Sequence, residues 1–193
     1  MRIIAGLAKG IRLTAPDGRG VRPTEDRVKE SLFSTLGDLR GRVVLDLFSG
    51  SGALGLEALS RGAGRVVFVE QNRQHFAFIR KNYEAVVKSI GSGAGEAEFY
   101  TVDARQIHSM LPHLAGQINI VLADPPYETQ KNGYGSHELI NDTRLASILA
   151  QDCILAIEHA AANILPWEES AWELIKERQY GIRAVSFAKL KHA

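Results

Sequence analysis

Short apolar runs alternate with helical periodicities from residue 41 to residue 158, and this predicts an α/β fold with a mostly parallel sheet and helices on both faces. Two observations extend the prediction. Residues 172–180 and 182–190 alternate around Gly181, as an antiparallel hairpin closing the sheet would. Residues 1–40 precede the alternation and read as a hairpin followed by a helix, so the expected division is a 1–40 extension and a 41–193 sheet domain. A chain of 193 residues fits one compact domain with a small appendage.

In the extension, Arg2-Ile3-Ile4-Ala5-Gly6 and Ile11-Arg12-Leu13-Thr14 flank a turn at Lys9-Gly10. Two strands alone are marginal, so this hairpin must lean on the body. Residues 16–20 form a loop around Arg19. Thr24 is expected to cap the next helix, with Glu25 and Asp26 complementing its dipole. Val28, Leu32, Phe33 and Leu36 recur at helical spacing, and Gly37 ends the run.

The sheet domain opens with a buried strand at 43–47. The glycine-rich turn Phe48-Ser49-Gly50-Ser51-Gly52 and a helix at 53–61 follow. Residues 65–70 form the second strand, and Asn72 caps a helix with Phe76, Ile79, Tyr83, Val86 and Val87 on its apolar face. The third strand is expected at 98–102, ending in Asp103-Ala104, with a helix at 105–111. The fourth strand, 118–123, runs into Asp124-Pro125-Pro126-Tyr127. A polar stretch, 128–136, carries Tyr134 between Gly133 and Gly135 and reads as a loop or a lid. A helix at 137–150 and a fifth strand at 153–157 lead to Glu158-His159. His159 reads as a satisfied structural histidine and Cys153 as a buried core residue.

With 45% hydrophobic residues, no long apolar stretch and no signal-peptide pattern, the expectation is a soluble, cytoplasmic protein with no membrane partner. One cysteine and scattered histidines leave no disulfide framework and no metal site. A net charge of +1 conceals an uneven distribution. Residues 1–24 carry Arg2, Lys9, Arg12, Arg19 and Arg22 against Asp17, and residues 172–193 are also basic. Basic ends on an acidic body point either to a docked polyanion or to simple solvation of the termini.

The chemistry centres on residues 124–127. Two prolines remove two backbone donors and stop the strand from continuing. What remains is a stiff corner presenting a carboxylate, carbonyls and an aromatic ring, which suits a planar amine on a base. Asp46, Glu70, Asp103 and Asp124 all fall at carboxyl ends of strands, where ligands bind in such sheets. Four carboxylates along one edge tolerate only a cationic ligand rich in hydroxyls and amines, and S-adenosylmethionine meets that description. Gly50, Gly52 and Gly55 formally satisfy the dinucleotide pattern, with Glu70 twenty positions after Gly50. Asp46 would repel a pyrophosphate, which counts against a nicotinamide cofactor. Arg22 and Arg27 read as anion contacts, to a cofactor carboxylate or to RNA phosphate.

The segments Asp46-Leu47-Phe48-Ser49-Gly50-Ser51-Gly52, Glu70, Asp103-Ala104 and Asp124-Pro125-Pro126-Tyr127 resemble the ordered motifs of class I methyltransferases that modify amino groups. Met1-Arg2-Ile3-Ile4-Ala5-Gly6, Arg22-Pro23-Thr24, Asp26-Arg27-Val28 and Leu32-Phe33 resemble the RsmD family, bacterial enzymes that methylate guanine N2 in small-subunit (16S) ribosomal RNA. The resemblance implies a Rossmann-like class I methyltransferase fold and direct methyl transfer. It implies catalytic roles for Asp124, Pro125, Pro126 and Tyr127. Cofactor contacts are implied for Asp46, Phe48, Ser49, Gly50, Gly52, Glu70, Asp103, Ala104, Thr24 and Arg27, and RNA contacts for Arg2, Lys9, Arg12, Arg19 and Arg22. A monomer acting on 16S rRNA, within the small subunit or an assembly intermediate, is expected. Adenine-N6 or other amino-group methylation of nucleic acid is the alternative, and a non-catalytic RNA-binding protein is a third reading.

Overall fold

The computed structural model describes residues 1–15, 23–125 and 133–191. Arg19, Arg22, Pro126 and Tyr127, and most of the expected lid, lie outside the described residues.

The sheet has seven strands: β1 (Val43–Leu47), β2 (Arg65–Val69), β3 (Glu96–Tyr100), β4 (Ile118–Ala123), β5 (Leu149–Ala160), β6 (Trp172–Tyr180) and β7 (Arg183–Leu190). Their order is β3-β2-β1-β4-β5-β7-β6. Strands β1 to β5 pair in parallel, while β7 is antiparallel to both β5 and β6. The order reverses between β1 and β4, which places a crevice beyond Leu47 and Ala123, two residues that pair directly. The predicted α/β class, with a parallel body and an antiparallel C-terminal hairpin, is the observed one.

Alternation along each strand sorts the core into two layers. One face buries Val44, Val66, Phe68, Ile120, Leu122, Ala156 and Val185 under α1 (Pro23–Leu36), α2 (Ala53–Ser60) and α3 (Arg73–Ile90). The other buries Leu45, Leu47, Val121, Leu155 and Ile157 with residues of α4 (Ile107–Met110) and α5 (Ser136–Asn141). Cys153 is buried in this second layer, where desolvation pushes its thiol pKa up.

Among the described residues, the extension packs into the core of the sheet. Ile3, Leu13, Val28, Leu32 and Phe33 share the α1-side layer. Its hairpin is minimal, with one antiparallel bridge between Arg2 and Arg12. Glu57 of α2, wholly buried, clamps it by accepting the Ile4 and Ala5 N–H groups at 2.7 and 3.0 Å. Lys29 Nζ lies 3.6 Å from the same carboxylate and donates to the Arg2 carbonyl. Burial depresses the Lys29 pKa, partly countered by Glu57.

Several boundaries differ from the sequence reading. Helix α1 begins at Pro23, whose fixed φ suits a first helical position, so Thr24 lies inside the helix rather than capping it. Strand β3 sits two residues earlier than expected, because its register with β2 runs from Glu96 to Tyr100. The expected 137–150 helix breaks at Asp142, whose side chain accepts from the Arg144 N–H and starts a 3-10 turn. The chain then enters β5 at Leu149, four residues before the predicted start.

Candidate active site

The site forms where β1 and β4 end. Val43–Leu47 is driven into the core by its apolar side chains, and the exit is made sharply by Phe48, Gly50 and Gly52. All three have positive φ (60°, 57° and 80°), and Phe48 is the only non-glycine residue to do so among the described residues. A bulky residue held there stores roughly 1–3 kcal/mol of strain, a pattern found at ligand sites. Its ring faces the cleft with Tyr134, centroids 6.0 Å apart.

The turn is held by the acids that follow the strands. Glu70 accepts the Gly50 N–H at 2.8 Å and the Asn72 N–H at 2.7 Å, so one carboxylate ties the β1 and β2 exits together. Ser49 Oγ donates to the Asp46 carbonyl and accepts from the Val69 N–H. Asp46 is 1% exposed and lies beneath the cleft, where its Oδ2 accepts the Gly55 N–H at 2.9 Å. Desolvation raises its pKa to about 7, with the charges of Asp124 and Glu70 adding to the shift. Gly55 is required at this point: a Cβ there would stand 2.4 Å from Phe68 Cε1 and 2.8 Å from Asp46 Oδ2.

Above this floor is a cleft of about 520 Å³, lined by Phe48, Gly50, Glu70, Asp103, Ala104 and Asp124 of the expected set. Gln71, Asn72, His75, Arg105, Gly133 and Tyr134 complete it. Asp103 binds Arg105 through its N–H (2.9 Å), Nε (3.0 Å) and Nη2 (2.6 Å), and these bonds depress its pKa. It therefore caps the turn as well as facing the cleft. Tyr134 donates to Asp142 at 2.8 Å, and burial, reinforced by that carboxylate, pushes its pKa up. The lining sets three carboxylates beside aromatic faces and backbone N–H groups. That donor set fits the diol, amines and positive charge of S-adenosylmethionine.

Asp124 is exposed and Pro125 buried at the end of β4. Asp124 also lines a second pocket, about 150 Å³, with Met1, Lys29, Leu54, Glu158 and Arg183. Among the described residues it is the only one shared by the two pockets. Ser49, Gly52 and Asp46 support the cleft without lining it, and Arg27 is not among its described lining residues; the Thr24 side chain lies outside what the structure describes. Arg2, Lys9 and Arg12 are exposed on the hairpin, where Arg2 also pairs with Asp26 at 3.0 Å. His159 is buried against Ser186 Oγ (2.8 Å) and the Ala160 carbonyl (3.0 Å), which makes it the structural histidine expected.

Sequence reasoning named the acids but missed their cleft neighbours. Asn72 carried a signal only as a helix cap, a role it does fill for Gln74 and His75. Arg105 had a local signal, two residues after Asp103. Arg183 had none, since it reaches the site through the β5–β7 pairing.

Residues 1–189 match the model of the family described as Conserved hypothetical protein 95. The chain is 37% identical over 182 residues to "Ribosomal RNA small subunit methyltransferase D" of Escherichia coli, covering 94% of this chain and 85% of that one. It is 35% identical over 193 residues to "Putative rRNA methyltransferase YlbH" of Bacillus subtilis, covering 98% of each. Among solved structures, "Putative methyltransferase yhhF from Escherichia coli" superposes with a TM-score of 0.78 at 32% identity, covering 99% of this chain and 98% of that one.

Proposed function

This chain belongs to the RsmD family, that of Conserved hypothetical protein 95, and from that premise we propose that it transfers a methyl group from S-adenosylmethionine to the exocyclic N2 of one guanine in 16S ribosomal RNA. The observation that carries the reading is the position of Asp124, whose carboxylate lines both the acidic cleft and the smaller pocket. A methyl donor on one side and an amine on the other would meet at this residue.

The cofactor, bound in the larger cleft, supplies an electrophilic methyl carbon on a sulfonium. The remaining work falls to the chain. Phe48 and Tyr134 flank the cleft with aromatic faces; Glu70 would offer acceptors to a ribose diol, and Asp103 with the Ala104 N–H would hold the adenine. The exocyclic amine is a weak nucleophile because its lone pair is delocalised into the ring. Hydrogen bonds from it to the Asp124 carboxylate and the Pro125 carbonyl favour pyramidalisation and return electron density to nitrogen. Asp124 then stabilises the positive charge that develops there and takes or relays the proton. Tyr127 is assigned the face of the base, and in-line positioning supplies much of the remaining rate. The target base must leave its stack or lie in an unpaired loop. Residues 1–40 act as the RNA-facing extension, with Arg2, Lys9, Arg12, Arg19 and Arg22 on phosphate. Thr24 and Arg27 are assigned to the rim near the cofactor. The protein acts as a cytoplasmic monomer on rRNA within the small subunit or an assembly intermediate.

Asp124→Ala tests this directly. Transfer to small subunits from cells lacking the gene should fall by about 10²–10⁴, with S-adenosylmethionine affinity within a few-fold of wild type. Near-normal turnover would remove Asp124 from the mechanism.

A further inference from the structure

We infer that Glu158 and Arg183, with Asp124, read the Watson–Crick edge of guanine in the smaller pocket; this rests on the proposed guanine-N2 activity and deepens it. Asp124 directly follows β4, and Glu158 and Arg183 stand on β5 and β7, in the strand order β4, β5, β7. Ala123 pairs with Ile157, so Asp124 lies level with Glu158 one residue on, and their side chains leave the same face. Glu158 pairs with Val185, and Arg183, two residues from Val185, shares that face too. Val185, Leu122 and Ala156 are buried on it under α1, which confirms the side. The Arg183 guanidinium donates to Glu158 Oε1 at 3.0 Å, with side-chain exposures of 24% and 13%. The pair is therefore pre-ordered and half-shielded at the pocket wall.

Along the sheet edge the chain thus presents carboxylate, carboxylate, guanidinium, which is acceptor, acceptor, donor. Guanine presents N2–H, N1–H and O6 in the same order, which is donor, donor, acceptor. No other standard base shows two adjacent donors: adenine offers donor then acceptor, cytosine donor then two acceptors, and uracil a donor between acceptors. With N2 at Asp124, N1–H falls to Glu158 and O6 to Arg183. A purine carrying an unprotonated N1 would set a lone pair against the Glu158 carboxylate. Sites built to hydrogen-bond one edge reject its mismatch strongly. Glu158 and Arg183 are then specificity-determining residues, and the Asp124 corner alone does not choose the base.

The test uses small subunits reconstituted with ligated 16S rRNA that carries guanosine or 2,6-diaminopurine riboside at the methylated position. The second purine keeps the N2 amine but has an acceptor at N1 and an amine at position 6. Wild-type protein should methylate guanosine and discriminate against the analogue. Glu158→Gln, whose amide can donate to N1, should lower the guanosine-to-analogue ratio of kcat/KM by about 10- to 100-fold, with S-adenosylmethionine affinity unchanged by calorimetry. Arg183→Gln, whose carbonyl can accept from the 6-amine, should lower the same ratio. An unchanged ratio in both variants, with wild-type transfer intact, overturns the inference. Absence of wild-type transfer to the guanosine-containing subunit overturns the parent activity, and this inference with it.

Discussion

Burying Asp46 beneath a cleft meant for a cation predicts a proton that leaves when the cofactor enters. Desolvation, with the charges of Asp124 and Glu70, raises its pKa from the ordinary 3.8 to about 7, against the opposing hydrogen bond from Gly55. A folded-state pKa above the unfolded one means the native state holds the extra proton. The stabilising contribution is complete below 3.8 and is lost as pH rises through about 7. The full difference corresponds to about 4 kcal/mol, of which about 3 kcal/mol falls between pH 5 and pH 8. Asp46→Asn keeps an acceptor for the Gly55 N–H and removes the titration. Urea unfolding of the unliganded protein should therefore show wild type losing about 3 kcal/mol relative to the variant from pH 5 to pH 8. Binding of S-adenosylmethionine in the cleft would bring positive charge near this carboxyl and favour its ionised form. Calorimetry at pH 6.5 in buffers of different ionisation enthalpy should then detect proton release by wild type and less by the variant. A wild-type-minus-variant stability difference that does not change with pH would refute the reasoning.

Gly55→Ala sets a methyl 2.4 Å from Phe68 Cε1 and 2.8 Å from Asp46 Oδ2, and should cost about 1–3 kcal/mol of stability in chemical denaturation despite alanine's better helix propensity; a neutral or stabilising result would mean that the helix start is not tightly set. Charge reversal at Arg2, Lys9 and Arg12 should weaken binding to rRNA and flatten the dependence of log affinity on log salt by nearly one per lost phosphate contact, measured by filter binding. An unchanged slope would move the RNA interface off the hairpin.

Much of the fold was legible because its signals are local. The 43–47, 65–69 and 118–123 strands are apolar runs bounded by glycine, Asn72 or proline. The C-terminal hairpin was legible from its Gly181 turn, although neither strand alternates in burial: β6 is exposed along most of its length and β7 is buried from Ala184 to Ala188. Helix 137–150 failed for an equally local reason: Asp142 offers its own backbone a competing hydrogen bond, and periodicity alone does not register that. At the site, strand-end acids were visible, but their division of labour was not. Asp46 and Glu70 bond to Gly55 and Gly50, residues nine and twenty positions away, so their supporting roles depend on the folded turn. The Glu158–Arg183 pair depends on β7 inserting beside β5 ahead of β6, an order that no stretch of sequence declares.

The central claim, methylation of guanine N2 through Asp124, is tested most directly in cells. Nucleoside mapping of 16S rRNA by mass spectrometry should find one N2-methylguanosine present with the intact gene and absent without it. The modification should return with a wild-type copy and not with Asp124→Ala expressed at the same level. Restoration by the Asp124→Ala copy, or a methyl group on another atom, would contradict the account.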